Sequence, residues 1–199
     1  MKTVWIGMAL WLVVGWAGVL QASAEGIVDS EVVLERREPT LRKVHPERDA
    51  AVIERIEFCR EKLPEQFIGR RNFAWALAEV EGLEKKEYFA HSGIQSLADF
   101  SSETAEKIRD ISVKPEAGHY HVLCVNQRNV VDGPDCWVRV VDTEYKILEE
   151  MVAHLPDTSV KGRVKLYTDL PPCASCWNVI LQFMAEYPNI QMQVLFKQK

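Results

Sequence analysis

The sequence predicts an α/β domain with a mixed sheet, opening on a β-hairpin and closing on a strand-helix-strand unit. Three observations predict it. Residues 72–90 run from apolar residues through a polar turn and back. Residues 162–196 pass from a strand pattern to a helical period and back to a strand pattern. The segment just before them, "DTEYKILEEMVAHL", has a helical period with start and stop signals at its ends.

In chain order, the first 24 residues stand apart. Lys2 precedes the uncharged run Val4–Leu20, and Ala22-Ser23-Ala24 follows it as a small-residue cleavage pattern before Glu25. This predicts a signal peptide and a secreted product with no stable membrane association once the peptide is removed. A single membrane anchor is the rival reading, since the run is little shorter than the ~20 residues a spanning helix needs. Residues 25–46 are polar, hold Pro39 and Pro46 and show no sustained period, so they read as a linker or arm ahead of a domain over 47–199.

A helix is predicted from Glu47 to Leu63, with Val52, Ile56, Cys59 and Leu63 as its apolar stripe and Pro64 as its stop. The hairpin runs Phe73–Val80, turns through Gly82 and Lys85-Lys86, and returns at Tyr88-Phe89-Ala90. Ser96–Ile111 reads as helical, and Ser112–Val138 gives no pattern. In "DTEYKILEEMVAHL", Leu148, Met151, Val152 and Leu155 share a face and Pro156 ends the helix. "GRVKLYT" is a strand, "CASCWNVILQFMAEY" a helix with Trp177, Ile180, Leu181 and Met184 at apolar spacing, and "IQMQVLF" a strand. The right-handed crossover rule makes those two strands a parallel pair.

The net charge of -5 argues against a non-specific electrostatic grip on a long polyanion. The clusters Arg70-Arg71 and Lys161, Arg163, Lys165 read as solvated faces. Five cysteines are present, an odd number. Export permits disulfides. Cys59 belongs to a helix stripe, and Cys124 with Cys136 forms a candidate pair across a loop.

Cys173 and Cys176 sit where a strand turns into a helix, and the free N–H groups there favour thiolates. By spacing alone the pair serves redox chemistry or metal binding equally well. No second C-x-x-C exists for a four-cysteine zinc site. A thioredoxin-like reading needs more strands after the motif helix than the single one that remains. Upstream, Asp142 and Glu144 open the preceding helix. Alone, they are explained by N-capping and by the helix dipole. Taken with Pro172-Cys173-x-x-Cys176 on the next helix, they form an acid and two thiols that two helix N-termini can bring to one metal.

Those two motifs resemble the zinc-dependent nucleobase deaminases, which carry H-x-E or C-x-E followed by P-C-x-x-C. Asp142 stands where His or Cys is usual, a variant associated with the toxin-type deaminases of bacterial polymorphic toxins. "DTEYKILEE", "LYTDLPPCASC", "QFMAEYPNI" and "YFAHSGI" are similar to that branch, over roughly Asn72 to Phe196. The resemblance implies a cytidine-deaminase-like three-layer fold and one zinc per chain, held by Asp142, Cys173 and Cys176. It implies that Glu144 shuttles protons without binding metal, and that His91 and Ser92 line the substrate pocket. The implied reaction is hydrolytic deamination of a cytosine- or adenine-type base in nucleic acid or a nucleotide, with an inhibitor protein as a candidate partner. Two other readings stand beside it: an exported thiol-disulfide protein, and a zinc-binding module of the same fold without turnover.

Overall fold

The computed structural model describes residues 38–197. The predicted signal peptide, and the part of the predicted arm before residue 38, lie outside them. Among the described residues no helix is long and apolar enough to cross a membrane.

Strand β2 (Phe73–Val80) organises the layers through its alternation. Ala74, Ala76 and Ala78 face one side, where they pack with Ile147, Met151, Val179 and Phe183. Phe73 and Trp75 face the other, against Ile56, Cys59 and Leu63. Successive strand side chains point to opposite faces, so one eight-residue strand serves two cores. The alanines leave room for helices α3 (Thr143–Val152) and α4 (Ala174–Glu186) on the first face. The aromatics fill the space under α1 (Ala50–Glu61) on the second. The result is helix, sheet and helices in three layers, as the fold class predicts.

The sheet has five strands. β3 (Glu87–His91) returns antiparallel from β2, Phe73 opposite His91. β6 (Gly162–Thr168) lies antiparallel on the other side of β2, Ala74 opposite Thr168. β7 (Ile190–Phe196) runs parallel to β6 after the α4 crossover, which confirms the predicted parallel pair.

Three stretches depart from the sequence expectation. Residues 40–43, inside the predicted arm, form the edge strand β1 (Thr40–Lys43), parallel to β7. Its side chains are mostly exposed, so no alternation marks it. Backbone pairing and two hydrogen bonds from Arg42 to Asp49, at 2.7 and 2.8 Å, hold it. Asp49 therefore joins strand to helix, and its side chain does not cap α1. The predicted helix over 96–111 is broken into a single turn at Leu97–Asp99 and a short α2 (Ser102–Lys107). Ser96 and Ser101 each accept a backbone N–H of the following turn, which starts two short pieces instead of one helix.

Residues 112–141 are the third. They contain the two-residue strands β4 (Cys124–Val125) and β5 (Trp137–Val138), closed by a Cys124–Cys136 disulfide. Elsewhere they are tied down by side chains of the helices. Glu149 accepts the backbone N–H groups of His119 and Tyr120 at 2.7 and 2.8 Å, and Ser175 accepts that of Leu123 at 2.9 Å. Cys59 is a fully buried free thiol, pushed up to about 11 by burial, in the core role its stripe predicts.

Candidate active site

The N-termini of α3 and α4 meet at one end of the sheet, beside a cavity of about 710 Å³. Asp142 occupies the N-cap position of α3, yet its side chain makes no capping bond. Its Oδ2 accepts instead from the thiols of Cys173 at 3.3 Å and Cys176 at 3.2 Å, and the two sulfurs lie 3.4 Å apart. Capping would have satisfied an orphan N–H of the helix. The carboxylate is turned away from that role and into the cluster.

Cys173 is the N-cap of α4 and accepts the Cys176 N–H at 3.5 Å. The Cys176 thiol bond, against some cost of burial, lowers the Cys173 thiol below its ordinary range. Cys176 is pushed up by its hydrogen bond with Cys173, and then by its own burial. One sulfur is thus disposed to ionise and the other to hold its proton until a cation displaces it.

Glu144, one residue into the helix, is 2% exposed and aims at the same place, its Oε2 3.5 Å from Cys176 Sγ. Burial, and then the neighbouring Asp142, push its carboxyl above the ordinary value. The Thr143 hydroxyl donates to Oε2 at 2.8 Å. Asn72 lines the cavity beside both. Its Nδ2 donates to Thr143 Oγ1 at 2.8 Å and to Thr168 Oγ1 at 2.9 Å, and its Oδ1 accepts the Leu170 N–H at 3.1 Å. This residue ties β2, α3 and the end of β6 together around Glu144. In the sequence it is only a polar residue ahead of a strand, and nothing local distinguishes it.

Asp142, Cys173 and Cys176 each offer a donor atom within 4.8 Å of the others. Around a tetrahedral zinc, sulfurs stand about 3.8 Å apart and sulfur and oxygen about 3.5 Å. The donors here are closer by a few tenths of an ångström, as expected of groups sharing protons where a cation would separate them. Two thiols and a carboxylate, with the cavity open beside them, fit a three-ligand zinc site.

The other two predicted site residues separate. Ser92 lines the cavity, and its hydroxyl accepts the Asn72 N–H at 3.1 Å. His91 does not line it. Its ring is fully buried, with Nε2 on the Arg70 carbonyl at 2.8 Å and Nδ1 accepting the Gly93 N–H at 3.0 Å. Both nitrogens are used by backbone, and the ring packs edge-on against Phe67. Its pocket-lining role is therefore corrected to a support behind the wall. The motif word "YFAHSGI" drew attention to the right strand end, but on it Ser92 faces the cavity and His91 does not.

Beneath the site, the fully buried Lys146 donates to the carbonyls of His91 at 2.8 Å and Ile94 at 2.6 Å. Burial pulls its ammonium down to about 7. At the mouth, Arg60 donates two hydrogen bonds to the Asp169 carboxylate, at 2.8 and 2.9 Å. Arg71 and Lys197 also line the mouth, without an ion-pair partner among the described residues. On the other side, Trp137 and Arg139 come from the stretch that directly follows the disulfide at Cys136.

No curated protein and no solved structure matches the chain at a significant level. One family does. Its description is Toxin-deaminase, the BURPS668_1122 family of deaminases, and the match runs over residues 57–198, from within α1 to beyond β7. It includes the helix starts that bring Asp142, Glu144, Cys173 and Cys176 together, and with them the chain belongs to the toxin-deaminase family of the cytidine-deaminase-like superfamily.

Proposed function

We propose that this deaminase is a secreted, zinc-dependent hydrolase that removes ammonia from a cytosine- or adenine-type base carried on a nucleotide or nucleic acid. The observation that carries the metal reading is Asp142. It stands at a helix N-cap, declines the capping bond and accepts from both thiols of the C-x-x-C pair. Asp142, Cys173 and Cys176 would hold the ion, which when bound supplies a Lewis acid that activates water for attack on the ring carbon.

The chain's own groups account for the proton movements. Glu144 takes a proton from the attacking water, then returns protons to the ring nitrogen and to the departing amine. Water is consumed and ammonia released, with no net change in redox state. Its raised affinity for a proton suits a group that must hold one between those transfers. Thr143 from behind and Asn72 from the cavity wall fix the rotamer of Glu144. The Ser92 side chain and the Arg71 and Lys197 cations at the mouth favour a substrate with a polar ring edge and a phosphate. Export rests on the uncharged run Val4–Leu20 and the Ala22-Ser23-Ala24 pattern, and N-terminal sequencing of the product from an exporting host checks it.

The deciding experiment measures zinc content and ammonia release on cytosine and adenine presented as base, nucleoside, nucleotide, single-stranded DNA and RNA. The expected result is about one zinc per chain and product on phosphate-bearing substrates. Glu144→Ala is expected to keep the zinc and lose at least ~10²-fold in rate. Zinc-free protein with a Cys173–Cys176 disulfide would sink the reading in favour of thiol-disulfide chemistry.

A further inference from the structure

One charged group touches the cluster and has no part in the proton movements. Arg139 lies three residues before Asp142, in a turn closed by the Asp142 N–H on the Arg139 carbonyl at 3.2 Å. Its Nε donates at 2.8 Å to Asp142 Oδ2, the oxygen that accepts both cysteine thiols. The two side chains are only 18% and 11% exposed. The guanidinium lies over the Trp137 ring at 4.5 Å from its centroid, which fixes its plane. Among the described residues no other cation is within hydrogen-bond reach of the three donors.

The charges make the pairing intelligible. Two thiolates with a neutral imidazole exactly balance a divalent ion. Two thiolates with a carboxylate exceed it by one negative charge, and added anionic donation makes the ion a weaker electrophile. The guanidinium restores the balance at the oxygen where the excess arises. Arginine suits this because it stays charged at every working pH and its Nε–H is directional. We propose that Arg139 is a positioning residue that aims Asp142 and offsets its charge, so that an Asp-Cys-Cys ligand set leaves the metal as electrophilic as a set with a neutral first ligand. The inference rests on the reading that these three residues bind a divalent metal.

The test uses the full chain loaded with cobalt(II), whose visible bands report its surroundings, titrated with azide at one pH. Azide is an anion that binds an electrophilic metal directly, so no substrate is needed. Arg139→Gln keeps a neutral hydrogen-bond donor and removes the charge. It is expected to retain about one cobalt per chain and to bind azide about tenfold more weakly, the effect of one charge removed from a part-buried site. Arg139→Lys keeps the charge and is expected to stay within about twofold of the wild type. In an Asp142→His background the excess charge is gone, and adding Arg139→Gln is expected to change azide affinity by less than about twofold. Unchanged azide affinity in Arg139→Gln overturns the inference. Loss of cobalt from Arg139→Lys as well as from Arg139→Gln also overturns it, since a retained charge then fails to help and aiming alone explains the pair. An equal loss in the Asp142→His background overturns it by showing general attraction of anions. Wild-type protein that takes up no cobalt overturns the ligand-set reading beneath it, a distinguishable failure.

Discussion

The floor of the cavity is two helix N-termini anchored in the sheet, whereas its outer lip is irregular chain tied down at separate points. On the floor, Asp142, Glu144 and Cys176 are buried, and the helices behind them share one core with the alanine face of β2. On the lip, Val130, Val131, Trp137 and Val138 are all 40% exposed or more. There the disulfide, the Asn129 bond to the Ala174 N–H at 2.7 Å and the Ser175 bond to Leu123 replace a core. The difference teaches that the geometry of the Asp142, Cys173 and Cys176 cluster belongs to the fold, while the lip over the cavity depends on a few tethers. Asn129 crosses between the two regions, because the N–H it accepts belongs to the first turn of α4, beside Cys173.

The comparison can be broken at its strongest point first. Cys176→Ser is expected to reduce bound metal from about one per chain to a small fraction, because a buried serine is a poor zinc ligand. Lip variants are expected to keep their metal, and metal analysis of the dialysed proteins separates the two groups. Equal metal loss from a lip variant would remove the distinction.

Next in size, the paired change Cys124→Ser and Cys136→Ser is expected to cost about 3 kcal/mol, from the 12-residue separation of the cysteines. Chemical denaturation measures it. The metal is expected to stay while azide affinity of the cobalt protein shifts, because Trp137 and Arg139 follow the lip.

The floor has a pH signature of its own. Lys146 has a folded value of about 7, below its unfolded value, so between about pH 7 and 10 the unfolded chain binds the extra proton. Stability from this group therefore rises with pH across that window and is absent below it. Lys146→Met is expected to flatten the rise by a few kcal/mol at most, read as the difference between the two stability-pH curves. A wild-type curve that falls where the variant's stays level would mean that Lys146 remains charged.

The smallest effect belongs to the crossing residue. Asn129→Ala is expected to cost about 1 kcal/mol, as for loss of a helix-start bond. Hydrogen exchange at the Ala174 amide should rise while the α3 amides stay protected. Equal loosening of both helices would show floor and lip to be one unit.

Much of the fold was legible because it is local. The hairpin, the α1 stripe and the last strand-helix-strand unit each repeat their pattern within a dozen residues, and the structure keeps them. The edge strand was not legible, since Thr40–Lys43 buries too little for any alternation to show. The break at Phe100–Ser101 was hidden because serine serves equally as a helix residue and as a new start. In the site, the two motifs carried the Asp142, Cys173 and Cys176 cluster and Glu144 beside it. Asn72 and Arg139 were invisible because their partners are 71 residues away in one case and, in the other, defined only by which way Asp142 turns. His91 went wrong for the same reason: a strand-end residue faces the pocket or the wall according to the neighbouring turn, and both of its nitrogens were taken by backbone.

By itself the sequence determined the layers, the two helix starts and the residue types that meet there, because period and punctuation are properties of short segments. Only the tertiary structure decided that Asp142 abandons its cap for two thiols, that Arg139 accompanies it and that a disulfide joins Cys124 and Cys136 just ahead of Trp137. Those are choices between partners of similar local merit, and they are settled by which groups the folded chain brings within 3 or 4 Å.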